Sequence, residues 1–264
     1  WSSGVCSSDL EHGAENLMYG KASSPLIVGE LVVVTGGKKP GPTVLAYHRE
    51  KGELVWSAGD DSASYASPVL ASLAGQEQIV CVNHNTVTGH EPTTGKILWT
   101  WQWPAKMPKS ALAQPVGQDR ILVSASYGMG TALLKISREG EAFTVEKVWK
   151  NREMKTKFSN VCIAGGYAYG LDEGRLACVE LATGKRQWRG KNYGYGQNIL
   201  VGDHLLVQSE RGYVALVEAD PHSFKEVGRQ KALQHKTWNT PALAGEYLLV
   251  RNDREAVCFK LKLK

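Results

Sequence analysis

The stretch LACVELATGKRQW, residues 176–188, decides the fold. An apolar, β-prone run leads into Thr183-Gly184-Lys185, where the glycine suits a tight turn, and a second short run reaches Trp188. This is the pattern of two antiparallel strands joined by a hairpin. GELVW at 52–56 and GKILW at 95–99 repeat its second half. The stretch is therefore one copy of an internal repeat.

Two further markers define the period of the repeat. A polar pair or polar-proline pair opens each unit, and successive pairs lie 38 to 47 residues apart: Ser24-Pro25, Ser67-Pro68, Gln114-Pro115, Ser159-Asn160, Gln197-Asn198 and Thr240-Pro241. A short β-rich run follows each pair: 31–34, 79–82, 121–123, 167–169, 205–207 and 248–250. The markers agree on six units. We therefore predict a single domain over residues 11–264.

Each unit is expected to form four antiparallel strands. Gly174 and Gly212 lie in short turns between the second and third strands, where a hairpin favours positive φ. The fourth strand is predicted to end at the tryptophan, and the sixth unit stops at Lys264 before a fourth strand. About 40 residues and four strands per unit are typical of a propeller blade. The prediction is an all-β propeller of four-stranded blades, about six in number with the last incomplete.

Composition excludes several classes of protein. Of 264 residues, 42% are hydrophobic and 22% charged, with a net charge of +5, as in a globular chain. Lys and Arg are scattered among Asp and Glu, which argues against nucleic-acid binding, and no apolar run is long enough for a transmembrane helix. Residues 1–10 have no periodicity and look like a translated adapter, so we set them aside as a non-native tail.

The repeated tryptophans have a structural interpretation. Trp56, Trp99, Trp149 and Trp188 fall at the corresponding place in four units, although Trp149 lacks the preceding glycine. A buried indole covers ~150 to 250 Å² of surface. We expect these four side chains to dock neighbouring blades against one another, rather than to form the floor of a cofactor site.

On these residues, the chain resembles the tryptophan-docking repeat of the pyrroloquinoline-quinone (PQQ) β-propeller family over residues 24–261. Repeat 3 departs from the pattern with a longer stretch at 137–144, and repeat 5 has Val227-Gly228-Arg229 where the tryptophan belongs. The resemblance implies a parent of seven or eight blades, so the chain is expected to be truncated at its N-terminus. It also implies a periplasmic, envelope or secreted protein that is monomeric when full length. An unclosed ring would expose strand edges and aggregate.

The resemblance also raises the question of a cofactor. Quinoprotein alcohol dehydrogenases of this family hold PQQ with a disulfide between adjacent cysteines, a tryptophan and a calcium ion. None of the five cysteines here is adjacent to another, and all but Cys6 lie in strand patterns, where we expect buried free thiols: Cys6, Cys81, Cys162, Cys178 and Cys258. Zinc-ligand spacings and nucleophile-elbow motifs are absent from the sequence. We predict no cofactor, no metal and no catalytic residue.

A candidate ligand funnel comes from the loops that lead from one unit into the next. They span 59–67, 102–114, 150–160, 190–198 and 233–240. Their aromatic and polar side chains form the predicted site: Tyr65, Lys109, Lys157, Asn160, Tyr193, Tyr195, Gln197, Trp238 and Asn239. Basic residues add positive charge: Lys155, Arg175, Arg211 and Arg254. The alternative is that these side chains only cap the core through hydrogen bonds within the loops.

The function that we favour is a non-catalytic binding or assembly scaffold in the bacterial cell envelope. The resemblance implies this, since the family includes the propeller lipoprotein of the outer-membrane assembly machinery. The expected partner is a protein or a small anionic or hydroxylated ligand. The alternative is a quinoprotein oxidoreductase acting on an alcohol or sugar, with PQQ and calcium needed only in that case. An intracellular WD-type propeller has no support, because no Trp-Asp dipeptide occurs.

Overall fold

The computed structural model describes residues 18–37 and 41–261. The predicted tail at 1–10, with Cys6, lies outside the described residues. Regular secondary structure in the described ranges consists of strands alone, arranged in six antiparallel sheets. This agrees with the six units predicted from the repeat.

The strands follow one another along the chain, and hydrogen-bonded neighbours are consecutive within each sheet. Sheets 1 to 3 comprise β1 (Leu26–Val28), β2 (Leu31–Thr35), β3 (Val44–His48) and β4 (Leu54–Ala58); β5 (Val69–Leu73), β6 (Gln76–Val82), β7 (Thr86–His90) and β8 (Ile97–Gln102); and β9 (Gln114–Val116), β10 (Arg120–Ala125), β11 (Gly130–Glu139) and β12 (Ala142–Asn151). Sheets 4 to 6 comprise β13 (Cys162–Ala164), β14 (Tyr167–Asp172), β15 (Arg175–Glu180) and β16 (Arg186–Asn192); β17 (Gln197–Val201), β18 (His204–Gln208), β19 (Tyr213–Glu218) and β20 (Glu226–Lys231); and β21 (Ala242–Ala244), β22 (Tyr247–Arg251) and β23 (Ala256–Lys260).

The second strand of every sheet contains the β-rich run that predicted it, and sheet 6 has the three strands expected of an incomplete unit. Two details of the prediction are wrong. The fourth strands do not end at the tryptophan, since β16 continues four residues beyond Trp188 to Asn192. The stretch at 137–144 is not a long connection either. Most of it is strand, because β11 and β12 are each ten residues long and a short turn at Gly140 joins them.

The described chain falls into two compact units. Unit 1 contains sheets 1 and 2 and most of sheet 3, and unit 2 contains residues 124–132 and the chain from 149 onwards. The core of unit 1 lies between sheets 1 and 2, where Val33, Val44 and Ile79 are fully buried. His90 at the end of β7 is buried too, with one ring nitrogen 2.8 Å from Thr88 Oγ1 and the other 3.1 Å from the Gly95 carbonyl oxygen. The prediction of one domain over 11–264 stays a prediction.

Unit 2 has two apolar clusters. Sheets 4 and 5 share one that includes Tyr169, Leu176 and Val207, and sheets 5 and 6 share the other, around Leu206 and Leu248. The inner strands of these sheets are apolar over most of their length because sheets pack on both of their faces. The outer strands β16 and β20 are largely exposed and polar.

Three of the four repeated tryptophans reach into the next sheet. Indole Nε1 donates to a turn carbonyl there in each case, from Trp56 to Pro92 at 3.1 Å, from Trp149 to Leu181 at 2.7 Å and from Trp188 to Asp220 at 2.8 Å. Trp99 differs, because its Nε1 donates to Gln78 Oε1 of its own sheet at 2.6 Å.

A glycine makes room for two of these indoles. Gly95 lies against the Trp56 ring and Gly184 against the Trp149 ring, both at positive φ, and a Cβ atom on either would clash with the ring. This explains why the repeat pairs a glycine with a tryptophan: the glycine serves both its own turn and the indole of the preceding sheet.

Candidate binding surface

A cluster of aromatic and lysine side chains lies on the loops of unit 2. We call it the aromatic–lysine surface and define it by six residues: Tyr127, Lys157, Phe158, Tyr195, Lys236 and Trp238. They come from four separate loops, after β10, β12, β16 and β20. Tyr127 and Trp238 are about half exposed, at 50% and 46%. The cluster therefore combines large apolar area with positive charge at the surface.

Lys157 holds the centre of this surface. Its Nζ lies 4.2 Å from the ring centroid of Tyr195 and 5.2 Å from those of Tyr127 and Phe158. These are cation–π distances, and each such contact contributes ~0.5 to 1 kcal/mol at exposed sites. The Phe158 ring continues the contacts to Trp238, with centroids 5.2 Å apart. Tyr127 adopts a positive φ of 54°, an uncommon backbone conformation of the kind that clusters at functional sites.

Glu210 connects two of these loops, those after β16 and β20, through hydrogen bonds. Its carboxylate accepts hydrogen bonds from Trp238 Nε1 at 2.8 Å and from the Tyr195 backbone N–H at 3.2 Å. Its own backbone pairs with Tyr193 on one side and with Thr237 on the other. One side chain in the turn after β18 thus orients aromatic residues from two different loops.

Gln197 does the same for a second pair of loops. It is buried, and its Nε2 donates to the Phe158 carbonyl at 3.0 Å and to the Trp238 carbonyl at 2.9 Å. The backbone of Asn239 is fixed in a similar way, because its carbonyl oxygen accepts a hydrogen bond from Gln208 Nε2 at 2.8 Å. Gln197 and Asn239, both predicted to contact a ligand, therefore position the loops through backbone bonds, as the capping alternative expects.

Other predicted residues are not among the six that define this surface. Tyr193 is buried, and its hydroxyl donates to Glu226. Burial and then the bond to Glu226 raise the pKa of Tyr193 above its usual value. Lys155 lies 2.8 Å from the buried Asp172 carboxylate and neutralises it rather than pointing to a ligand. Asn160 is half-buried in the loop that carries Lys157.

In unit 1, the predicted residues Tyr65 and Lys109 lie together. Lys109 is 1% exposed, and its Nζ donates to the carbonyls of Asn83 at 2.9 Å, Trp103 at 2.7 Å and His84. Its own carbonyl accepts from the Tyr65 N–H at 2.9 Å. The expectation that Lys109 faces a ligand is wrong on this geometry, because the ammonium already serves three carbonyl groups inside the protein.

Several members of the surface escaped the sequence reasoning. Tyr127 precedes Gly128-Met129-Gly130, which the sequence marks only as a turn. Phe158 and Lys236 lie in loops from which the sequence analysis selected other residues, Lys157 and Trp238. Glu210 sits in the short turn at 210–212, where an acidic residue is ordinary. Only the tertiary fold brings these positions together, so no local signal could have selected them.

The predictions of no cofactor and no metal stay predictions, and three features of the described residues bear on a quinone and calcium site. Burial raises the pKa of the Cys81 and Cys178 thiols to about 12, and no described cysteine forms a disulfide. The buried carboxylate of Asp172 already pairs with Lys155 and two arginines, so it is a poor calcium ligand. Within residues 18–37 and 41–261, no group of three His, Cys, Asp or Glu side chains converges on one point.

Cys258 departs from its prediction. The strand pattern predicts a buried thiol, but Cys258 is exposed. It lies on β23, the outermost strand of the three-stranded sheet 6, whose residues alternate between exposed and half-buried. The other cysteines fit better, since Cys81 and Cys178 are buried and Cys162 is half-buried.

Comparison with solved structures defines the class of protein as a β-propeller. BamB from Moraxella catarrhalis is similar at a TM-score of 0.54 and 12% identity, over 90% of this chain and 84% of that one. The Cps50 (Swd1) β-propeller domain of Myceliophteria thermophila is similar at a TM-score of 0.63 and 14% sequence identity, over 94% of this chain and 85% of that one. The computationally designed Ika8 protein is similar at a TM-score of 0.68 and 8% sequence identity, over 90% of this chain and 70% of that one. At these identities, the likeness shows the fold alone.

The family follows from the sequence match. The PQQ_2 family, described as outer membrane protein assembly factor BamB, matches residues 13–190, and the chain belongs to this family. No curated protein sequence matches it. The predicted PQQ-repeat propeller is thereby confirmed. Among the described residues, none forms a helix of the length and apolarity needed to cross a membrane.

Proposed function

We propose that this protein is a non-catalytic scaffold of the bacterial cell envelope that binds a protein partner through the aromatic–lysine surface. Membership of a family described as an outer membrane assembly factor supports the class of function and the compartment. The contact surface is argued from the chain itself. Six aromatic and lysine side chains from four loops form one partly exposed cluster, and this single observation carries the proposal.

The chemistry of the cluster suits a protein partner. Aromatic residues are enriched in the energetic centres of protein interfaces, and their large rings provide area at low entropic cost. Here Glu210 already holds the Trp238 ring, and Gln197 fixes the backbone at Phe158 and Trp238, so binding has less to order. A preorganised aromatic surface of this kind favours a folded partner or an extended segment that places apolar side chains between the rings.

The charge around the cluster favours an acidic partner. Lys236 lies over the Trp238 ring, with Nζ 4.8 Å from its centroid. It also borders a cleft of about 520 Å³ that Arg211 and Lys231 line, against the single carboxylate of Glu210. The rim is therefore cationic on the side of Trp238. Such charge steers an acidic segment to the surface and sets its orientation.

A paired substitution tests the proposal. A binder is first selected by screening envelope proteins and acidic peptides against the full chain, and its affinity is then measured for the double variant Tyr195→Ala, Trp238→Ala. We expect a loss of more than about 2 kcal/mol, typical of aromatic hot spots. The control is Tyr247→Ala, which removes another exposed aromatic ring that lies below a lysine. Unchanged affinity in the double variant would remove the surface from the proposal.

A further inference from the structure

Sheet 5 lacks the indole that its neighbours place against the following sheet. In sheet 4, Trp188 pairs with Cys178 directly before an irregularity in strand pairing. In sheet 1, Trp56 pairs with Ala46 at the same point of the register. The residue at that point in sheet 5 is Gly228, which pairs with Leu216. Gly228 therefore occupies the tryptophan position of the repeat.

Within residues 18–37 and 41–261, no side chain fills the space that an indole would occupy at this point. A Cβ atom built on Gly228 would meet no other atom within 4 Å, whereas one on Gly184 or Gly95 would strike a tryptophan ring. The φ of Gly228 is not in the left-handed region, so the backbone accepts a side chain. A cavity of about 420 Å³ lies here, and its walls include Leu206, Leu248 and Phe259.

We infer that this cavity binds a compact aromatic molecule about the size of indole. Its volume falls within the ~300 to 1,000 Å³ of small-molecule pockets, and its lining is mostly apolar. The corresponding positions of sheets 1, 3 and 4 accommodate the protein's own indoles. Among the described residues this position between sheets 5 and 6 is not filled by a side chain, so it has room for a free aromatic ring of similar size. Burial of the ring against Leu248 and Phe259 provides the driving force.

This site is separate from the aromatic–lysine surface, and the two proposals fail independently. None of the six residues of that surface lines the cavity. If the protein binds indole but no partner, only the proposed function fails. If it binds a partner but no indole, only the inference about the cavity fails.

The probe for the experiment is indole, followed by ligand-observed NMR and by the thermal melting of the full chain. We expect saturable binding and a higher Tm for the wild type. Gly228→Trp supplies the missing ring, so it should weaken indole binding more than about tenfold and raise Tm by itself. The matched control is Val227→Trp, which adds the same side chain at the neighbouring, exposed position and should leave indole binding unchanged.

A second variant guards against a folding defect. If Gly228→Trp does not fold, Gly228→Leu fills part of the cavity and should weaken binding to a smaller degree. Absence of saturable binding in the wild type would overturn the inference. So would full indole affinity in a folded Gly228→Trp or Gly228→Leu variant, because the ring would then bind elsewhere.

Discussion

Two lysines in corresponding kinds of loop have opposite surroundings in the two units. Lys109 of unit 1 is buried, and its ammonium donates to three backbone carbonyls. Lys157 of unit 2 lies over three aromatic rings of a partly exposed cluster. Both lie in a loop that leads from one sheet into the next, and sequence alone gave them the same role. The difference shows that a cation in such a loop either completes the fold or serves a surface, and only its partners decide which.

The sharpest test of this comparison replaces each lysine by methionine. Lys109→Met removes the ammonium donor from three carbonyls, and the bonds to Asn83 and Trp103 are buried, so we expect a loss of about 3 kcal/mol or more in the free energy of unfolding. Lys157→Met removes three cation–π contacts of ~0.5 to 1 kcal/mol each, and packing of the methionine on the rings replaces part of this, so the expected loss is about 1.5 kcal/mol or less. Urea denaturation of both variants measures the two values. Equal losses would break the distinction between the two lysines.

Unit 2 also contains a buried charged residue, Asp172. Its substitution is expected to have the next largest effect on the free energy of unfolding. Asp172 is fully buried, with Lys155 at 2.8 Å, Arg189 at 3.0 Å and Arg186 at 3.4 Å. Asp172→Asn leaves Lys155 and Arg189 without this anion, while Arg186 keeps Glu153 at 3.0 Å, and we expect about 3 kcal/mol of destabilisation. The control is Asp253→Asn, an exposed aspartate 3.9 Å from Arg254, which should cost less than about 0.5 kcal/mol. A small effect at Asp172 would show that the cations relax into solvent.

The smallest expected effect is a pH dependence in unit 1. Burial lowers the pKa of His90 below its ordinary value, although the bond to the Gly95 carbonyl opposes this shift. The unfolded chain therefore binds a proton more readily than the folded one, so stability is complete above about pH 6.5 and falls as the pH drops below that value. Denaturation at a series of pH values should show this slope. His90→Gln should remove it, and an identical slope in that variant would assign the effect to another group.

The fold was predictable because the repeat consists of local features, glycines in turns and apolar runs in strands. Glycines such as Gly184 mark turns that need positive φ, and the apolar runs mark strands buried on both faces, so sheet number and order followed from spacing. The ends of strands did not follow, since β16 continues beyond Trp188 through pairing with β15, which the tryptophan does not terminate.

The site was harder to predict for a physical reason. Residue type selected Lys157, Tyr195 and Trp238, which the fold brings close together, but it could not separate them from Lys109 or Tyr193, whose polar groups are satisfied in the interior. Burial and hydrogen-bond partners depend on contacts between residues far apart in sequence. Tyr127, for example, lies 30 residues before Lys157 in the chain.

The most direct measurement for the aromatic–lysine surface is site-specific photocrosslinking in bacterial cells. A photoreactive residue replaces Lys236 beside Trp238 in one variant, and Lys260, an exposed lysine near Tyr247, in the other. We expect a discrete crosslinked product with an envelope protein from position 236, and its loss when Tyr195→Ala and Trp238→Ala are added. Equal crosslinking from position 260, or a product that survives the double substitution, would contradict the account.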